Sequence, residues 1–273
     1  MAATDPAAPA TWLDRWNLEA DGEPLKTHSS LLLPVRRNGV LAMLKIAHEQ
    51  EERRGSRLMA WWNGAGAAQV LAEDDGVLLL ERATGPRSLA AMARTGGDSD
   101  DEATLILCTA TRRLHDHRAQ IPTGLVLLEE WFAPLLRASD RSALIAKARN
   151  VAHDLLSEKR ETVVLHGDIH HENVLDAGPR GWLVIDPKGL LGERTFDFVN
   201  ILRDPDEEVA LRSGRFARQV DVIAEAASLD RTRLLQWTLA FACLSAVWIL
   251  DDSDTPVLDL AVAALAAHSL GIG

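Results

Sequence analysis

Val163 to Asp197 reads VVLHGDIHHENVLDAGPRGWLVIDPKGLLGERTFD, and the fold turns on this stretch. Val163, Val164 and Leu165 form a short apolar, β-branched run of the kind a buried strand requires. The loop that follows, His166 to Asn173, is almost wholly polar and carries Gly167 near its start. A second apolar run, Trp182 to Ile185, ends on Asp186-Pro187, and Gly178-Pro179 and Gly181 punctuate the turn between the two runs. The pattern predicts strand, polar loop, strand, polar loop: a hairpin-like unit that brings Asp168, Asn173 and Asp186 to one end. Oxygen acceptors delivered in that way suit a hard cation such as Mg²⁺, which binds oxygen ligands and substrate phosphates.

His166-Gly167-Asp168, then Asn173, resembles the catalytic loop of the phosphotransferase branch of the protein-kinase-like fold. Protein kinases carry H-R-D-x-x-x-x-N there, with Asp orienting the acceptor hydroxyl and Asn on the metal. Ile185-Asp186 stands where kinases carry D-F-G, but Pro187-Lys188-Gly189 follows. The full combination, LHGD-x-x-x-x-N-V-L and then IDPKG-x-x-G-x-x-x-x-D, is similar to the aminoglycoside phosphotransferases. Its IDPKG form most resembles the streptomycin 6-phosphotransferase branch, also called aminoglycoside/hydroxyurea resistance kinases.

Other readings of the same residues are weaker. An HGD tripeptide alone could merely cap a turn; Asn173, Asp186 and Asp197 at matching spacings argue against coincidence. His166, His170, His171 and Asp168 could make a zinc-type hydrolase cluster. However, adjacent His170 and His171 would face opposite sides of an extended segment, and no Cys completes a site.

The chain of 273 residues, 47% hydrophobic and 25% charged, suits a soluble globular protein built as one two-lobed unit or two small domains. A net charge of −11 argues against nucleic acid as the partner and would attract a cationic small molecule. Cys108 and Cys243 are too few for a disulfide framework, so a reducing cytoplasm is expected. The start of the chain has neither the charged nor the apolar segment of a signal peptide. The apolar run Leu234 to Leu250 reads as a buried helix, not a membrane span, because Gln236, Ser245 and the closing Asp251-Asp252 interrupt it.

The resemblance implies an α+β, bilobal protein-kinase-like fold. Residues 1–83 would form a small antiparallel-sheet N-lobe for nucleotide binding. Residues 84–273 would form a mostly helical C-lobe carrying the catalytic loop and the acceptor. Met1 to Pro9 reads as a loose tail, followed by a short helix with Trp12 and Trp16. Leu18 to Leu25, Leu31 to Arg36 and Val40 to Ile46 read as strands, the last two joined by an Asn38-Gly39 hairpin signal. The Thr27-His28-Ser29-Ser30 turn stands where kinases have a Gly-rich phosphate cover, so Ser29 and Ser30 would contact phosphate. Lys45 would hold the α/β-phosphates. Glu52, on the helix Gln50 to Asn63, would pair with it in preference to Glu49 or Glu51. The backbone of Glu81 and Ala83 would meet the adenine edge. In the C-lobe, Ser88 reads as a helix N-cap, Glu102 to His115 and Leu125 to Ala138 read as helices, and Ser139 with Asp140 opens the next.

Under this resemblance ATP lies between the lobes with Mg²⁺ on Asn173 and Asp186, and Asp168 accepts the proton of the acceptor hydroxyl. His166 and Asp197 brace the loops. An aminoglycoside carries ammonium or guanidinium groups, which need desolvated carboxylate partners. Glu172, Asp251 and Asp252 are candidates, and Trp248 offers a flat face for a cation. The alternatives are a kinase for another small alcohol, amino alcohol or hydroxyurea-like acceptor, or an ATP-binding regulator without transfer activity.

Overall fold

A computed structural model describes residues 8–27, 29–117, 119–139 and 142–272. Met1–Ala7 of the tail expected at Met1–Pro9, His28 of the serine turn and Asp140 of the expected helix start lie outside them. Helix α1 (Pro9–Trp16) starts on a proline, whose missing N–H costs nothing in the first turn, and ends on Asn17 in the left-handed region. The first predicted strand is two short pieces, β1 (Glu19–Ala20) and β2 (Leu25–Lys26). Strands β3 (Ser30–Arg37) and β4 (Val40–Ala47) pair along their whole length. Asn38 and Gly39, both with positive φ, make the tight turn between them. Helix α2 (Gln50–Trp62) crosses back to β5 (Val70–Asp74) and β6 (Val77–Glu81). The sheet runs β1-β3-β4-β6-β5 with β2 on the edge of β3.

Strand alternation sorts this sheet into two faces. Leu31, Leu33 and Val35 of β3 join Leu44 and Ile46 of β4 and Val77 and Leu79 of β6 in a core with Trp12 of α1. The intervening residues Ser30, Leu32, Met43, Lys45, Leu78 and Leu80 line a cleft on the opposite face. Leu58, Met59 and Trp62 of α2 belong to a second core that continues into the helical part of the chain.

That part opens with α3 (Leu89–Thr95), where the Ser88 hydroxyl accepts from Ala91 N–H, and α4 (Asp98–His115), which starts earlier than the spacing predicted. The predicted helix Leu125 to Ala138 is instead β7 (Val126–Leu127), α5 (Leu128–Trp131) and α6 (Ala133–Arg137). Helix α7 (Ala143–Ser157) is capped by Ser142, not Ser139. Strand β8 (Thr162–Leu165) follows, and then β9 (Val174–Asp176), β10 (Trp182–Val184) and β11 (Leu190–Glu193).

The predicted pairing of the first apolar run with the second is wrong. β10 pairs with β9, and β8 pairs with β11 in a separate sheet ordered β7-β11-β8. The signal was too short: a three-residue strand such as β9 is fixed by its partner, not by its own pattern. A 3-10 helix, Arg194–Leu202, leads to α8 (Glu207–Ala210), α9 (Arg215–Ala227), α10 (Arg231–Asp251) and α11 (Val257–Ser269). By length and composition α10 could cross a membrane, but 72% of its apolar window is buried inside the molecule. Its Arg233 forms a buried bidentate pair with Glu193 of β11.

Candidate active site

Asp168 follows β8 on the loop that begins His166-Gly167. Gly167 has φ +84, and a Cβ there would strike the Leu190 side chain, so only glycine fits without strain. Buried Asp197 holds the loop from behind, accepting the backbone N–H groups of His166 (2.9 Å) and Gly167 (2.7 Å) and the Nε2 of His115 (2.7 Å). The His166 ring accepts at Nδ1 from the Asp168 N–H, so Nε2 carries the proton and donates to the Ile185 carbonyl at 2.8 Å. Burial holds this imidazole below its ordinary pKa, against the pull of Asp197 and Asp168, and a neutral ring suits that bonding. His166 thus ties the Asp168 loop to the Asp186 loop.

The β9–β10 hairpin places the metal candidates. Val174 pairs with Val184, and Ile185 N–H donates to the Asn173 carbonyl, so Asn173 and Asp186 stand side by side at its open end. Asn173 donates Nδ2 to the Asp168 carbonyl at 2.9 Å, which leaves Oδ1 as the amide atom that could serve a cation. Asp186 has φ +66 and pairs with Lys45. Burial works against its ionisation, but Lys45, with Lys188 and His166 beyond, holds its pKa below the ordinary carboxylate value. Mg²⁺ keeps water and phosphate oxygens in its shell, so one carboxylate and one amide oxygen form a fitting protein share.

Lys45 also pairs with Glu52 of α2, while Glu51 turns to Lys188. Ser29 donates its hydroxyl to Glu52 at 3.0 Å, and the buried Ser30 hydroxyl lies 3.0 Å from Thr27 Oγ1. Thr27, Ser29 and Ser30 are thus held by side-chain hydrogen bonds, and Thr27 and Ser30, but not Ser29, line the cleft. The cleft encloses about 200 Å³, and Glu81 and Ala83 form its rim. Leu80 on one wall and Leu175, Leu183 and Ile185 on the other leave a flat apolar slot. The Glu81 carboxylate is engaged by Arg180 at 2.8 Å and its backbone N–H donates to the Gln69 carbonyl at 2.9 Å, so neither its side chain nor its N–H is free to meet a nucleotide.

A sequence model of the family described as "Aminoglycoside/hydroxyurea antibiotic resistance kinase" matches residues 15–253. The chain is 47% identical to the streptomycin 3''-kinase of Klebsiella pneumoniae, over 94% of this chain and 100% of that protein. It is 34% identical to the streptomycin 6-kinase of Streptomyces griseus, over 92% of this chain and 85% of that one. Among solved structures, aminoglycoside phosphotransferase APH(4)-Ia in complex with ADP and hygromycin B superposes with a TM-score of 0.66 at 13% identity, covering 97% of both chains.

The chain belongs to this kinase family.

Three residues of this kinase escaped the sequence reading. Asn200 donates Nδ2 to Asp168 Oδ1 at 2.7 Å. It lies three residues after Asp197 on a 3-10 helix, where residues i and i+3 eclipse, and that spacing is the signal that could have found it. His115, at the end of α4, braces Asp197 from a distant part of the chain and leaves no local signal. Asp204 places its Oδ1 3.9 Å from His170 Nδ1, while His170 Nε2 stands 3.9 Å from Asp168 Oδ2. Burial, with the Asp168 and Glu172 carboxylates nearby, raises the Asp204 pKa to about 6 despite His170 and Arg203.

The acceptor candidates fare differently. Glu172, Asp251 and Asp252 are exposed, so the desolvated carboxylates expected of them are not present there. Trp248 packs edge-on against Trp131, with ring centres 5.3 Å apart. The zinc-type cluster does not form. His170 faces Asp168 and Asp204, while His171 is buried, near Arg215, with its pKa pushed down to about 3. Among the described residues no group of three or more His, Cys, Asp and Glu could hold a metal.

Proposed function

We propose that this kinase transfers the γ-phosphoryl of ATP to a hydroxyl of a streptomycin-type aminoglycoside, with Asp168 as the catalytic carboxylate. The observation that carries this reading is that Lys45 and Asp186 pair on the lining of a largely apolar cleft, while Asn173, bonded to Ile185 N–H beside Asp186, holds the Asp168 carbonyl at 2.9 Å. The adenine occupies the slot beside Glu81 and Ala83, residues 1–83 serve the nucleotide, and residues 84–273 serve catalysis and the acceptor. Lys45, oriented by Glu52, takes the α/β-phosphates. Mg²⁺, held by Asn173 and Asp186, supplies charge neutralisation for the phosphates. Asp168, fixed by Asn200, takes the hydroxyl proton as the acceptor oxygen bonds to phosphorus. The bond to the β–γ bridging oxygen breaks, and ADP leaves with its electron pair. Positioning and charge are the protein's main contribution to such a transfer.

Half-buried Asp204, beside exposed Glu172, is the strongest partner for an acceptor cation, because a partly desolvated carboxylate gains more from a guanidinium than exposed Asp251 or Asp252. Trp248 and the exposed Asp251-Asp252 pair then serve as secondary contacts for the acceptor. The higher identity to a streptomycin 3''-kinase than to a 6-kinase favours the 3''-hydroxyl as the site modified. The test is ADP release from Mg·ATP over a panel of streptomycin, other aminoglycosides, hydroxyurea and simple amino alcohols. Streptomycin should give the highest kcat/KM, and Asp168→Asn should lose on the order of a hundredfold or more in kcat. Preference for a neutral alcohol would defeat the acceptor assignment, and an unaffected Asp168→Asn would defeat the catalytic one.

A further inference from the structure

The loop between Asp168 and Asn173 carries Ile169, His170, His171 and Glu172, and no Lys or Arg. A phosphoryl group passing from the Asp186 end of the cleft to Asp168 therefore meets no Lys or Arg from that loop. Lys45 is committed at the other end, between Glu52 and Asp186. The gap is filled from the second loop. Lys188 Nζ lies 3.7 Å from Asp168 Oδ2 and 3.1 Å from Glu51 Oε1, with its side chain 24% exposed.

Three features hold Lys188 there. Its backbone N–H donates to the His166 carbonyl at 2.7 Å, tying its Cα to the catalytic loop. Gly189, at φ +73, turns the chain directly after it. Gly55 has no side chain to keep α2 off the Pro187 carbonyl, so the first turn of α2 reaches the loop and brings Glu51 to Lys188. Glu51 and Glu52, neighbours on that turn, thus each hold one lysine, Lys188 and Lys45.

We propose that Lys188 is a further catalytic residue, whose ammonium contacts the transferred phosphoryl group between Asp186 and Asp168. This rests on the kinase reading above. Lys188 neither gains nor loses a proton in the transfer. In the absence of nucleotide Asp168 and Glu51 hold its charge in place, and the phosphoryl oxygens, more negative in total, compete for the same ammonium. A cation prepositioned where charge builds up in the transition state need not reorganise during the reaction. The rival role is a strap: Lys188 would only tie α2 to the catalytic loop through Glu51.

The experiment compares Lys188→Met, Lys188→Arg and Glu51→Gln with the wild-type enzyme in two assays. The first measures kcat and KM with streptomycin and Mg·ATP. The second measures the affinities of ADP and AMP-PNP by calorimetry, which needs no acceptor. Lys188→Met should lose about a hundredfold in kcat, the scale of one prepositioned donor, with ADP affinity and streptomycin KM within about threefold of wild type. It should also lose affinity for AMP-PNP relative to ADP. Lys188→Arg should recover part of the kcat, and Glu51→Gln, which still offers Lys188 a side-chain oxygen, should lose less kcat than Lys188→Met. Equal turnover in Lys188→Met and wild type would overturn the proposal. So would a Glu51→Gln loss as large as that of Lys188→Met, which is the result of a strap. ADP and AMP-PNP affinities falling together would overturn it as well. If the wild-type enzyme phosphorylates no aminoglycoside, the acceptor assignment fails, while the calorimetric comparison still decides the role of Lys188.

Discussion

Replacing Gly55 by alanine should damage this kinase even though alanine is the better helix former. In a helix interior the change alone favours folding by about 1 kcal/mol. Here the added methyl would overlap the Pro187 carbonyl oxygen and lie 3.3 Å from its carbonyl carbon. The opposing atoms are backbone, held by the Lys188 N–H bond to His166, and cannot rotate away. To restore an ordinary contact, α2 and the loop must part by about 1 Å, and overpacking on this scale costs about 1–3 kcal/mol. The net expectation is a loss of up to about 2 kcal/mol in stability. The shift also carries Glu51 and Glu52 away from Lys188 and Lys45, and a misplacement of about 1 Å can cost on the order of a hundredfold in rate. Urea unfolding gives the first number, and steady-state kinetics at saturating ATP give the second. A Gly55→Ala enzyme as stable as wild type, with unchanged kcat, would refute the close approach of α2 to the Pro187 loop.

Other consequences can be measured separately. Because the folded-state pKa of Asp204 is raised from 3.8 to about 6, its carboxylate is ionised only above that value, so kcat/KM for a cationic acceptor should rise with pH through about 6; Asp204→Asn should flatten the rise and raise the acceptor KM by about tenfold. In the same window the folded state holds a proton that the unfolded chain has released, so ionisation of Asp204 costs stability as pH rises, and Asp204→Asn should reduce that loss in pH-dependent melting. Asp186→Ala should abolish Mg²⁺-dependent nucleotide binding in calorimetry while circular dichroism stays native; undiminished Mg·ATP affinity would remove Asp186 from the metal site. Arg233→Met leaves Glu193 buried without its bidentate partner and should cost about 3–5 kcal/mol in urea unfolding, most of it recovered when Glu193→Leu is added.

The N-terminal sheet was legible because local signals agreed: the Asn38-Gly39 turn fixed the β3–β4 register, and alternation along β4 separated Lys45 from Leu44 and Ile46. The catalytic stretch could be read for its polar residues but not for its pairing. β8 and β9 look alike as short apolar runs, and only the distant β11 and adjacent β10 decide which sheet each joins. β7 hid inside an apolar spacing that fits a helix, because its partner is a strand more than sixty residues away. Asp197 was visible from its spacing, whereas His115 behind it comes from another helix. Asp251 and Asp252 attracted attention as acidic residues after an apolar helix. Asp204 is the more desolvated carboxylate, because its surroundings, including Asp168 and His170, are assembled from separate loops.

The most direct measurement of the central claim is mass spectrometry, with NMR assignment, of streptomycin after incubation with the wild-type enzyme and Mg·ATP, alongside the Asp168→Asn variant. The account predicts one added phosphate, on the 3''-oxygen, formed by the wild type and almost absent with the variant. Streptomycin recovered unmodified, or phosphorylated equally well by Asp168→Asn, would contradict it.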